Sequence, residues 1–153
     1  MIYRAANPTP EADVGNLRSA SSGEVYDLRV REEDDTIACV PGANAKVGDV
    51  LNLSGALGHK PGTRKVVDGG IEAETRQTME NIGAVLKANG LTFDNVFKCT
   101  VMLADMAKWE DFNKVYLTYF KPGRLPARSA FGASALALGA QVELECWAYA
   151  GKK

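Results

Sequence analysis

From residue 47 onward the apolar positions fall into clear periods. Val47-Gly48-Asp49 reads as a turn into a strand over Val50–Leu57, with Leu51, Leu53 and Leu57 on one face and Asn52, Ser54 and Ala56 on the other. A looped segment over Lys60–Gly70 follows. Ile71, Thr75, Thr78, Met79, Ile82, Val85 and Leu86 then recur at helical spacing, which predicts an amphipathic helix from Ile71 to Asn89 with Gly90 closing it. Asn95–Leu103 alternates as a third strand, with Phe97, Cys99, Val101 and Leu103 together. Asp105 is placed to cap a second helix that carries Trp109, Phe112, Val115, Tyr116, Tyr119 and Phe120, and Pro122-Gly123 ends it. These aromatics read as core. The last strand runs from Gln141 to Tyr149, with Val142, Leu144, Cys146 and Ala148 on one face and Glu143, Glu145, Trp147 and Tyr149 on the other.

The order is strand, helix, strand, helix, strand, strand. Two helices cover only one face of such a sheet, so an α+β fold is expected. The other face is expected to carry Asn52, Ser54, Lys98, Thr100, Met102, Arg128, Glu143, Glu145, Trp147 and Tyr149. Its apolar members predict association through that face, hence a homo-oligomer. Residues 1–40 read as a polar appendage and residues 41–153 as the main domain. Within the appendage, Glu24–Val30 has the pattern of an added edge strand, and the acidic run Glu32–Asp35 reads as a solvated turn whose spacing fits no cation loop.

With 153 residues, 46% hydrophobic and 24% charged, the chain is sized for one globular core. A net charge of −1 offers nucleic acid no general attraction. No apolar run approaches the roughly 18–20 residues that span a bilayer. The first residues lack an apolar h-region, so a cytoplasmic location is expected. Cys39, Cys99 and Cys146 are odd in number and sit in apolar contexts, and they read as buried free thiols in a reducing compartment. The one histidine, His59, lies in a turn-like run and argues against a histidine-based metal or nucleophile site.

Leu125-Pro126-Ala127-Arg128-Ser129 holds the best candidate chemistry. An arginine fixed just after a proline, with Glu145 near it on a half-covered sheet face, is a plausible small-anion site. An interface ion pair of Arg128 with Glu143 or Glu145 is the competing reading.

A set of segments resembles the RidA/YjgF reactive-intermediate deaminase family, also labelled L-PSP endoribonuclease-like. They are Lys46–Asp49, Leu53-Ser54-Gly55, Thr75–Thr78 with Asn81-Ile82, Gly90-Leu91, Val96–Asp105, Phe112–Tyr116, Tyr119-Phe120, Pro126–Ser129 and Val142–Glu145. The resemblance covers about residues 41–150. It implies a chorismate-mutase-like (YjgF-type) fold, a homotrimer with clefts between subunits, and no metal or organic cofactor. It also implies hydrolysis of 2-imino acids and enamines to 2-oxo acids and ammonia, as by a 2-iminobutanoate/2-iminopropanoate deaminase. Carried over residue by residue, Arg128 holds the substrate carboxylate and Glu145 handles the water and protons. Ser54, Asn113 and the backbone N–H of Ala130 complete the pocket. Three departures stand out: Gly42 replaces the family's cleft-closing tyrosine, Ala56 replaces the glutamine after Ser-Gly, and Ala130 follows Arg-Ser where some members have a cysteine and others an alanine. Tyr3 or Tyr26 of the appendage is a candidate substitute for the missing lid. These losses favour the alternative of a non-catalytic, carboxylate-binding or regulatory trimer. RNA cleavage is disfavoured by the acidic charge and the lack of a basic aromatic stripe.

Overall fold

The structure is a computed structural model that describes residues 44–151 in full and the backbone of residues 25–27. Tyr3, the run Arg29–Asp35, Cys39 and Gly42 lie outside the described residues, and of Tyr26 only strand backbone is described. The strands are β1 (Val25–Asp27), β2 (Asn44–Val47), β3 (Val50–Leu57), β4 (Val96–Leu103), β5 (Ala127–Gly132) and β6 (Val142–Tyr149). The helices are α1 (Gly70–Ala88) and α2 (Trp109–Leu117). The strands form one mixed sheet in the order β1-β2-β3-β6-β4-β5. Pairs β1–β2 and β4–β5 are parallel, and the other three are antiparallel.

The local signals act where the sequence puts them. Gly48, with φ 55°, makes the tight β2–β3 turn. At the end of α1, Gly90 N–H donates to Lys87 C=O and Leu91 N–H to Leu86 C=O. This is a Schellman closure with Gly90 in the left-handed region at φ 69°. Asp105 Oδ1 accepts from Ala107 N–H at 2.9 Å and starts the short 3₁₀ turn that leads into α2.

The helices pack on one face of the sheet. Buried Leu51 and Leu53 of β3, Val101 and Leu103 of β4, and Val142, Leu144 and Ala148 of β6 meet Met79, Ile82 and Leu86 of α1 and Phe112 and Tyr116 of α2. Each such large apolar side chain contributes roughly 1.5–3 kcal/mol on burial.

Three expectations are corrected. A bulge between Leu53 and Ala56 puts Ala56 opposite Leu144 and Leu57 opposite Glu143. The extra residue swaps the alternation, so Ala56 packs on the core side and Leu57 on the open side. A second irregularity between Val96 and Lys98 buries Val96 and turns Phe97 out, where its ring meets Trp147 edge-on at 6.3 Å. Finally, Cys99 and Cys146 are not free thiols. They are register partners on adjacent strands, with Cα atoms 4.1 Å apart, and they form a disulfide.

Candidate functional site

The open face of the sheet is organised in rows that cross β3, β6, β4 and β5. One row is Asn52, Trp147, Lys98 and Ala127. The next is Ser54 with Gly55, then Glu145, Thr100 and Ser129. The third is Leu57, Glu143, Met102 and Phe131. The bulge sets Ser54 and Gly55 together opposite Glu145, and Asn44 Oδ1 accepts the Ser54 N–H at 3.0 Å.

Glu145 is seated among polar groups, and Thr100 Oγ1 donates to its Oε1 at 3.1 Å. Glu143 is seated among apolar ones. Burial, and next the charge of Glu145, push its carboxyl above the ordinary range. Its Oε1 lies where a side chain at position 55 would start: a Cβ on Gly55 would sit 2.1 Å away. Lys98 Nζ lies 4.4 Å from the centre of the Trp147 ring.

Arg128 does not join this face. It pairs with Cys99, so its side chain projects to the helix side. There Asn113 Oδ1 accepts from Arg128 Nη1 at 2.8 Å. The guanidinium carbon lies 4.6 Å from the Trp109 ring centre and 4.7 Å from that of Tyr116. Burial raises the Tyr116 phenol to about 12, against the pull of the Arg128 charge, so it stays protonated at neutral pH. Trp109, Asn113 and Tyr116 stand at i, i+4 and i+7 and form one stripe of α2. That spacing was the available signal that two aromatics read only as core also form the bed of Arg128. Ala130, two positions on, is half-buried on the same side.

Arg128 and Asn113 are thus brought together. Ser54 and Glu145 are brought together on the other face. Among the described residues no group of histidine, cysteine and acidic side chains is placed to hold a metal. Among them, too, no helix is long and apolar enough to cross a membrane.

Residues 42–150 match the family described as Endoribonuclease L-PSP. The chain is 40% identical over 129 residues to the chloroplastic Reactive Intermediate Deaminase A of Arabidopsis thaliana, covering 84% of this chain and 68% of that protein. It is 42% identical over 106 residues to the 2-iminobutanoate/2-iminopropanoate deaminase of Mus musculus, covering 69% and 78%. Among solved structures, RidA from a Psychrobacter species superposes with a TM-score of 0.65 at 34% identity, covering 69% of this chain and 85% of that one. The family match over most of the chain, and relatives at this identity, place the protein in the RidA/YjgF branch of the Endoribonuclease L-PSP family.

Proposed function

We propose that this protein hydrolyses reactive 2-imino acids and their enamine tautomers to 2-oxo acids and ammonia, in clefts between the subunits of a homotrimer. The observation that carries this reading is the fixed Arg128. A guanidinium held by Asn113 and bedded on two rings has lost its rotamer freedom before a ligand arrives. It has five N–H donors, more than Asn113 uses, and their fork matches a carboxylate. Deaminase relatives at about 40% identity support the same chemistry.

Arg128 and Glu145 project to opposite faces of one sheet. A substrate of a few atoms meets both only where one copy supplies the clamp and another the acid. The open face also leaves Phe97, Phe131 and Tyr149 exposed in the single chain, and association covers them. Ser54 borders Glu145 and is assigned to substrate binding there. On the edge strand β5, Ala133 N–H donates inward to Leu103 C=O. N–H groups alternate along a ladder, so that of Ala130 points outward, where a carboxylate can take it. In the proposed reaction Arg128 binds the carboxylate and Glu145 takes a proton from the attacking water.

The regulatory-trimer reading loses one support. Ala56 faces the core, so its lack of an amide removes nothing from the open face of this chain. The cytoplasmic expectation also loses one, since Cys99 and Cys146 are cross-linked. The test is ammonia release when an amino-acid oxidase or a threonine dehydratase makes the imine in situ. Acceleration by the wild type that vanishes in Arg128→Ala is the expected result. Binding of a 2-oxo acid with no acceleration for any imine would replace this reading with the non-catalytic one.

A further inference from the structure

Resting on the deaminase reading, we propose that the substrate's side chain lies on an apolar strip beside Arg128, formed by Ala130, Gly132, Met106 and Trp109, and that this strip selects bulky apolar side chains over a methyl group. Arg128, Ala130 and Gly132 alternate onto one face of β5, where they pair with the buried Cys99, Val101 and Leu103 of β4. Over that face run the 3₁₀ turn and the first residues of α2. A Cβ on Gly132 would sit 3.2 Å from Met106 Cγ, so Met106 covers the Gly132 end. Trp109, one turn on, covers the other end, with its ring centre 4.6 Å from the guanidinium carbon of Arg128. Half-buried Ala130 is the floor between them.

The strip has a direction. Pro126, two residues before Arg128, is buried, so that end is filled. At the other end Gly132 is exposed, and Met106 keeps 42% of its surface exposed. Open apolar surface continuous with a fixed cation fits a molecule with a carboxylate at one end and hydrocarbon at the other. A 2-imino acid with an apolar side chain is such a molecule.

With its carboxylate on the Arg128 fork and the Ala130 N–H, the substrate places the start of its side chain near Ala130. Gly132 lies about 7 Å further along the strand. A methyl group stops short of the Met106 wall. An isobutyl, thioether or benzyl side chain reaches it and removes hydrocarbon from water on both partners. Methionine's flexible thioether adapts to aliphatic and aromatic shapes alike, so the strip distinguishes size and polarity more than outline. Beyond Arg128 the strip carries no charged side chain. An acidic substrate side chain would lose water there without gaining a counter-ion.

The test is imine hydrolysis by the full chain, with an amino-acid oxidase making the imine in situ from alanine, leucine, methionine, phenylalanine or glutamate. Calorimetric binding of the matching 2-oxo acids runs beside it. Wild type is expected to favour the leucine imine over the alanine imine by at least about tenfold in kcat/KM. Methionine and phenylalanine should group with leucine, and glutamate with alanine. Met106→Glu, at an exposed position, charges the wall and should bring the leucine-to-alanine ratio close to one. Met106→Leu, which keeps volume and apolarity, should preserve the ratio. An active wild type with equal kcat/KM for all imines, or a Met106→Glu form with the ratio untouched, overturns the strip and leaves the deaminase reading standing. Dissociation of the oligomer by Met106→Glu also overturns the strip, because the wall is then a subunit contact. A wild type that turns over no imine, yet binds 4-methyl-2-oxopentanoate at least about tenfold tighter than pyruvate, overturns the deaminase reading and keeps the strip. Neither turnover nor that preference overturns both.

Discussion

The two faces of the sheet are made from the same strands, yet they prepare their charged groups in opposite ways. On the helix side a single cation, Arg128, is immobilised by packing: an asparagine on one nitrogen and aromatic rings along its plane. On the open side two carboxyls are set apart by what adjoins them, a hydroxyl for Glu145 and apolar side chains for Glu143. Packing fixes where Arg128 points, whereas burial and a like charge make Glu143 hold its proton more tightly.

The largest effect expected is on the clamp. Arg128→Ala should cost about 2–5 kcal/mol of transition-state binding, read as a loss of kcat/KM. Arg128→Lys should recover little, because an ammonium matches neither the fork nor the ring stack. A rate restored by lysine would break the contrast with the open face. Cutting the cross-link under the helices comes next. The disulfide joins positions 47 residues apart, and its reduction should lower stability by about 2–4 kcal/mol in denaturant titrations.

Ala56→Gln sharpens the comparison by restoring a side chain that the family pattern expects. Because Ala56 packs against the core, the added volume should destabilise by about 1–3 kcal/mol and leave kcat unchanged. A rise in kcat would mean that position 56 belongs to the open side. Asn113→Ala removes one charge-assisted hydrogen bond and should raise KM about tenfold.

The smallest effect is on stability against pH. Glu143 binds its proton more tightly folded than unfolded, so the native state holds more protons between the two pKa values. Stability from this group is full below the unfolded pKa, near 4.5, and declines as pH rises through the folded one. Glu143→Gln should flatten that decline, so its melting temperature should gain on wild type above this window and not below it.

Much of this was legible in the chain. The alternation from Val142 to Tyr149 gave β6 and both its faces, and Gly90 closes α1 as expected, whereas Asp105 caps the 3₁₀ turn ahead of α2 and not α2 itself. The two irregularities were not legible, because one extra residue reverses every later side chain and only Gly55 marks the place. β5 hid its orientation for another reason. Ala127, Ser129, Ala130 and Gly132 are too small to show a period, so nothing in the pattern said which way Arg128 turns. The disulfide was equally hidden, since it depends on the register of strands distant in sequence. Resemblance put Asn113 in the pocket but did not foretell its hydrogen bond to Arg128, for which the stripe of α2 supplies the physical reason.

Gly55 carries no functional group, yet the space beside it is filled by a carboxylate oxygen. Every other amino acid brings a Cβ to that point, so any substitution at position 55 makes the Glu143 carboxyl leave its seat. In a map of tolerated substitutions, this position would report on where a neighbouring carboxyl sits, although its own contribution is vacancy.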